Sequence, residues 1–133
     1  MEGLINEIRL KCNKNSQSTC KISLKEVTKF PWDKVYIFTD WTASDSISKT
    51  IGIVYQGSDV PDDNSRILFI QNQDVVHEED FKSLDYRHST IEFTKLRNGI
   101  FFTPSNATFL VKMGKNENTC ETCYVYTLIR SNE

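Results

Sequence analysis

The chain has 133 residues, of which 38% are hydrophobic and 26% are charged, with 5 Gly and 3 Pro. This composition lies near ordinary globular usage and excludes a disordered or fibrous protein. A chain of this length buries roughly two-thirds of its unfolded surface, so we expect one domain over residues 1–133. No apolar run approaches the roughly 18 residues that span a bilayer, and the first residues do not match a signal peptide. A removed leader would leave the same sequence, so export stays open.

The net charge of −2 is unevenly distributed along the chain. Residues 35–93 hold four Lys or Arg against eleven Asp or Glu, whereas residues 1–34 and 94–133 are mildly basic. An acidic segment repels nucleic-acid phosphates and attracts basic proteins. We therefore expect no nucleic-acid partner. The acidic segment is either an ordinary solvated surface or the docking face for a cationic protein.

Of the four cysteines, Cys12 and Cys20 lie near one end of the chain and Cys120 and Cys123 near the other, so three disulfide pairings are possible. Seven residues separate Cys12 from Cys20, which exceeds the usual spacing of a zinc knuckle. A strand pattern follows Cys123, whereas a redox Cys-x-x-Cys normally opens a helix. We expect all four to form structural disulfides in an oxidising compartment, with reduced and inert thiols as the alternative.

The first predicted elements are helical. Apolar residues recur at helical spacing over residues 3–13, which predicts a short amphipathic helix. Residues 13–19 are polar and typical of a loop. Ser23 and Glu26 match a capping box, which predicts one helical turn that ends before Phe30-Pro31.

The most distinctive string of the chain predicts a strand over residues 33–39. Both faces of this strand are apolar, with Val35 and Ile37 on one and Tyr36 and Phe38 on the other. A strand that is apolar on both faces is expected in the centre of a sheet. Trp32 is expected in the core, whereas Trp41 is suited equally to packing and to a partner contact.

The rest of the chain predicts a second short helix and further strands. Ser44-Asp45-Ser46 and Gly52 bound a helix over residues 45–51. Strands are predicted at residues 66–70 and 74–77, which form a hairpin, and at 89–93, 100–102, 108–112 and 124–129. Residues 78–85 are expected to form a helical turn or an extended acidic loop. These elements predict an α+β domain with an antiparallel sheet of about six strands, an N-terminal helix and a second short helix.

Two histidines, His77 and His88, are the residues best suited to catalysis. With neighbouring carboxylates they offer a general acid and base or metal ligands, but their spacing fits no known motif, so we expect ordinary exposed side chains. The acids of residues 59–63 lack the ligand pattern of a calcium loop. The common phosphate-loop, hydrolase and metalloprotease motifs are also absent from the sequence. We therefore expect no enzyme, no metal and no cofactor.

Residues 22–38, ISLKEVTKFPWDKVYIF, resemble a string found in small bacterial cell-envelope proteins. Many of those proteins are exported or lipid-anchored and have no assigned activity. The resemblance implies a bacterial origin and a shared fold, and it carries no catalytic residue. The cysteines predict a cell-envelope or periplasmic location if they are oxidised, and the cytoplasm if they are reduced. Some small acidic bacterial proteins are immunity proteins that neutralise a secreted toxin, and this chain is compatible with that role.

The function that we favour from the sequence is a non-enzymatic binding protein, most concretely an immunity protein that blocks a basic toxin. The expected contacts combine charges for steering with one aromatic side chain for burial. They are Asp59, Asp62, Asp63, Glu78, Glu79, Asp80, Asp85 and Trp41. One alternative is an exported or lipid-anchored envelope domain with a structural or small-ligand role. A second alternative is a small hydrolase that uses His77 or His88.

Overall fold

A computed structural model of the protein describes residues 3–12, 19–83, 88–115 and 124–131. Three helices lie in these segments: α1 (Leu4–Cys12), α2 (Leu24–Val27) and α3 (Ser44–Ile51). Eight strands accompany them: β1 (Thr19–Ser23), β2 (Lys34–Phe38), β3 (Asn64–Gln71), β4 (Asp74–Lys82), β5 (Thr90–Thr94), β6 (Ile100–Phe102), β7 (Thr108–Lys115) and β8 (Tyr124–Arg130).

The strands form two sheets of four, in the orders β1-β7-β8-β5 and β4-β3-β2-β6. Neighbouring strands are antiparallel except β5 and β8, which are parallel. The predicted mixture of helices and sheet is confirmed, but the expectation of one antiparallel sheet of about six strands is wrong. Alternation along a strand predicts which side chains face the core, and it does not specify which strand lies alongside. The extent of one domain over residues 1–133 stays a prediction.

The second sheet is covered on both faces, and β2 lies inside it between β3 and β6. Val35 and Ile37 belong to the larger core cluster, which joins the two sheets. Tyr36 and Phe38 belong to a second cluster, which packs β2 and β3 against α3 and the segment that follows it. The predicted central position of the strand is therefore confirmed. Trp32 is 6% exposed and lies in the larger core, as predicted.

Helix α1 packs its apolar stripe into the larger core and is tied to β1. Leu4, Ile8 and Cys12 are its buried residues, which confirms the helical spacing read from the sequence. Cys12 and Cys20 form a disulfide with their Cα atoms 5.6 Å apart. The predicted disulfide cysteines Cys120 and Cys123 lie outside the described residues.

The capping box predicted at Ser23 is wrong. Ser23 is the last residue of β1, lies opposite Thr108, and makes no side-chain bond to the start of α2. The Leu24 N–H instead donates to the Ala107 carbonyl at 2.9 Å. The β1–β7 ladder fixes the backbone at Ser23, and a carbonyl of the chain leading into β7 satisfies one of the amides at the start of α2 that have no partner within the helix.

The turn residues behave as the sequence indicates. Gly52 has φ +79° and its N–H donates to the Ser48 carbonyl at 2.9 Å, ending α3 in the left-handed conformation. Asn72 and Gln73, both with positive φ, connect β3 to β4 as a two-residue hairpin turn.

Strand β4 runs on to Lys82, so the expectation of a helical turn or loop from residue 78 is wrong as far as residue 82. The ladder with β3 continues until Asn64 lies opposite Lys82, and this pairing holds the acidic residues in extended conformation. Within the described part of the chain, no helix is both long enough and apolar enough to cross a membrane.

Candidate functional site

The three acidic residues predicted as contacts in β4 point to opposite faces of the sheet. Successive side chains of a strand alternate between faces. Glu78 and Asp80 therefore lie on the face of the second core, whereas Glu79 lies on the other face, where it contacts the start of α1. The structure does not bring these three carboxylates together on one surface.

Glu78 and Asp80 are both engaged by Arg66, whose side chain on β3 is only 5% exposed. Its Nε donates to Asp80 Oδ1 at 2.6 Å and its Nη2 donates to Asp80 Oδ2 at 2.9 Å. Its Nη1 donates to the Tyr55 hydroxyl at 2.9 Å, and that hydroxyl in turn donates to Glu78. The hydrogen bond to Asp80 raises the pKa of Arg66 further above its ordinary value. Both carboxylates are therefore engaged within the molecule, although one guanidinium against two carboxylates leaves a net charge of −1.

Glu79 is engaged by α1 and by His77. Its two carboxylate oxygens accept from the Leu4 N–H at 3.2 and 3.1 Å, and its Oε2 lies 2.8 Å from His77 Nε2. The His77 ring packs 5.0 Å from Phe30 and 6.1 Å from Phe69. The expectation that His77 is exposed is therefore wrong, because residues 75, 77, 79 and 81 are the more buried positions of β4. His88 is exposed, as expected.

A hydrolase that works through a covalent intermediate requires a side-chain nucleophile, such as a hydroxyl or thiol that a histidine can activate. Thr28 lines the same cavity as His77, but its hydroxyl donates to the Leu24 carbonyl and accepts from Trp32 Nε1, each at 2.9 Å. Among the described residues that line the cavity, this geometry therefore offers His77 no free hydroxyl or thiol.

Asp59 is placed at the start of α3. Its Oδ1 accepts from the Ser44 N–H at 2.8 Å, which satisfies an amide that has no partner within the helix. A carboxylate at this end also opposes the positive end of the helix dipole. Nothing local in the sequence indicates this contact, because fifteen residues separate the two partners.

The remaining described contacts predicted from the sequence lie together around Trp41. The Trp41 N–H donates to the Val60 carbonyl at 3.1 Å, and the Val60 N–H donates to the Thr42 carbonyl at 2.9 Å. This pairing brings residues 39–42 beside residues 60–63. One carboxylate oxygen from each of Asp40, Asp62 and Asp63 lies within 4.8 Å of the others. We call Trp41 and these three acids the Trp41 patch.

The Trp41 patch combines an exposed aromatic ring with three clustered carboxylates. Trp41 is 73% exposed. Across the described segments, no Lys, Arg or His forms an ion pair with any of the three acids of the patch. Two unit charges at such a distance repel by about 0.9 kcal/mol in water, and a cation placed among them would relieve this repulsion.

Exposed acidic groups often lie close together without a bound ion, and the distances within the patch do not by themselves define a set of calcium ligands. We therefore assign no metal to the Trp41 patch. Asp85, the eighth predicted contact, lies outside the described residues.

No protein-family model, curated protein or solved structure matches this chain. The resemblance carried by residues 22–38 therefore stays a prediction. That segment runs from β1 through α2 into β2, and so connects the two sheets.

Proposed function

We propose that the protein binds a basic protein through the Trp41 patch without catalysing a reaction, and that its most concrete role is immunity against a basic bacterial toxin. The observation that carries this proposal is an exposed tryptophan beside three acids that form no ion pair with the described residues. The proposed binding site retains Trp41, Asp62 and Asp63 from the sequence prediction and adds Asp40.

The carboxylates and the tryptophan of the patch contribute to binding in different ways. Exposed carboxylates steer a basic partner and raise the rate of association. A tryptophan buried at the centre of an interface contributes much of the affinity, and its ring face also attracts Lys and Arg. The acidic excess of residues 35–93 adds a longer-range field of the same sign.

Hydrogen bonds hold the backbone of the patch in a defined turn. Trp41 has φ of 67°, in the left-handed region that bulky residues rarely adopt. Asp63 has φ of 60°, in the same region, which Asp enters more readily. Thr42 secures the turn, since its hydroxyl donates to the Thr39 carbonyl at 2.7 Å. An exposed Trp kept in an unfavourable conformation supports a binding role for its ring.

Four other acidic residues predicted as contacts are hydrogen-bonded within the protein. They are Asp59, Glu78, Glu79 and Asp80. Each already accepts a hydrogen bond from within the chain, so a partner would have to replace that bond. We expect these four to contribute to the acidic field and to stability more than to direct contact.

An oxidising location is part of this proposal. The Cys12–Cys20 disulfide supports the cell envelope or periplasm, where such bonds persist. Counting thiols in the protein purified from its native host, under denaturing conditions with alkylation at lysis, tests this part. Four free thiols would place the protein in a reducing compartment.

The binding test uses the protein encoded by the adjacent gene as the probe, since a toxin and its immunity protein are expected side by side. We expect a tight complex that Trp41→Ala weakens at least tenfold. The double variant Asp62→Asn/Asp63→Asn should weaken it similarly, with the loss mainly in the association rate at low salt.

The matched control is Asp74→Asn/Glu92→Gln, which removes the same charge from β4 and β5. We expect this variant to bind like the unmodified protein. Equal losses in the two double variants would show that net charge alone acts, and would remove the patch from the proposal. A neighbouring gene product that is acidic, or that does not bind, would contradict the immunity role.

A further inference from the structure

A cavity of about 230 Å³ lies between α1, α2 and the β3–β4 hairpin, on the sheet face opposite Arg66. Its apolar wall is formed by Leu4, Val27, Phe30 and Phe69. An engineered apolar cavity of about 150 Å³ admits benzene. The space therefore suits one ring with a short polar substituent.

Aromatic rings line one side of this cavity. Phe30 packs edge-on against Phe69 with centroids 5.1 Å apart, and the His77 ring lies 5.0 Å from Phe30. Aromatic faces carry partial negative charge and attract cations.

Two carboxylates line the polar side. The side chains of Glu7 and Glu79 are only 18% and 19% exposed. Glu7 pairs with Lys29 at 3.2 Å, but that lysine is 79% exposed, so its pairing is weak and readily displaced. A carboxylate offers about four acceptor positions, which leaves both groups able to accept further hydrogen bonds.

Gly3 leaves space for the carboxylate of Glu79. A Cβ at this position would lie 2.5 Å from Glu79 Oε1. The absence of a side chain lets Glu79 sit against the first amide of α1 and keeps its charge at the cavity.

We propose that this cavity binds a small organic cation, a primary amine attached to one apolar ring. The ammonium group donates to Glu79 and Glu7 in place of Lys29, and the ring packs against Phe30 and Val27. This inference does not depend on the proposed docking of a basic protein, since it uses none of the residues of the Trp41 patch.

The test compares three probes of similar shape, benzylamine, benzyl alcohol and benzoate, by calorimetry and by chemical-shift changes at neutral pH. We expect benzylamine to bind at least tenfold more tightly than the alcohol, and benzoate not to bind. Glu79→Gln should weaken benzylamine binding at least tenfold. The matched control is Glu78→Gln, which neutralises the adjacent residue on the opposite face and should leave binding unchanged.

Glu79→Gln also weakens the contact with α1, so a second variant separates binding from folding. Glu7→Gln leaves the contact between Glu79 and α1 in place and is expected to weaken benzylamine binding at least threefold. Phe30→Leu keeps the cavity wall apolar but removes one aromatic ring, so it measures the contribution of that ring. Equal binding of benzylamine and benzyl alcohol would overturn the proposal, as would unchanged benzylamine affinity in Glu7→Gln.

Discussion

Arg66 and Asp80 are joined by two parallel hydrogen bonds across β3 and β4, with Nε to Oδ1 at 2.6 Å and Nη2 to Oδ2 at 2.9 Å. The planar guanidinium matches the carboxylate at both positions, which is the strongest form of such a pair. Arg66 also donates to Tyr55 and to the Ser58 carbonyl, so the same cation holds the segment after α3 against the sheet.

Asp80→Asn is expected to lower the free energy of unfolding by about 3 kcal/mol, because it removes the charge that accepts both parallel hydrogen bonds from a buried guanidinium. Glu78, 3.6 Å from Arg66 Nε, then remains as the only neighbouring countercharge among the described residues. Urea unfolding followed by circular dichroism measures this change. Asp74→Asn removes an exposed carboxylate from the same strand and should change stability by less than about 0.5 kcal/mol. A loss below about 1 kcal/mol for Asp80→Asn would mean that the pair is mostly solvated.

Tyr55 is expected to make stability fall at high pH. Burial, assisted by the hydrogen bond to Glu78, raises the pKa of Tyr55 from 10.0 to about 12, although Arg66 opposes the shift. The folded state therefore holds this proton more tightly than the unfolded state. Its contribution is complete below pH 10 and is lost as the pH rises from 10 towards 12.

Unfolding free energies measured between pH 8 and 12 test this expectation. Tyr55→Phe has no hydroxyl to ionise, so its stability should decline less steeply above pH 10. Parallel pH profiles for the two proteins would count against the assignment.

The Cys12–Cys20 disulfide is expected to stabilise the fold by about 2 to 3 kcal/mol, in line with the chain-entropy model for a loop of this length. Adding a reductant should lower the urea midpoint accordingly. Cys120→Ser/Cys123→Ser should keep this sensitivity to reductant, whereas Cys12→Ser/Cys20→Ser should lose the part due to the short loop. A midpoint that reductant leaves unchanged would contradict the expectation.

The two tryptophans are expected to respond differently to a soluble quencher. Trp41 is 73% exposed and Trp32 is 6% exposed, so acrylamide should quench mainly Trp41. Trp41→Phe should leave a weakly quenched protein, and Trp32→Phe a strongly quenched one. Bound partner should protect Trp41 if the patch is the docking surface. Similar quenching in the two variants would contradict this difference in exposure.

Strand β2 shows what periodicity predicts well. The alternation of Val35 and Ile37 with Tyr36 and Phe38 assigns each side chain to the correct one of two cores. Strand β1 shows where periodicity fails, because a short polar strand with only Ile22 in the larger core cluster does not differ from a loop. Its order comes from the ladder to β7 and from the disulfide.

In the candidate sites, too, some features could be predicted from the sequence and others could not. The acidity of residues 35–93 is visible in the sequence, but it cannot separate Glu78 and Asp80, which bind Arg66, from Glu79, which contacts α1. Had β4 been predicted to continue beyond residue 77, alternation would have placed Glu79 on the other face. The grouping of Trp41 with Asp62 and Asp63 carries no local signal at all.

Four features could be predicted from the sequence because each arises from neighbours along the chain. They are the helical spacing in α1, the two apolar faces of β2, the glycine that ends α3 and the acidic excess of residues 35–93. The sequence did not predict three other features: the division into two sheets, the parallel β5–β8 pair and the clustering around Trp41. They depend on hydrogen bonds and packing between segments tens of residues apart, where many alternative pairings satisfy the same local pattern and only the assembled core selects one.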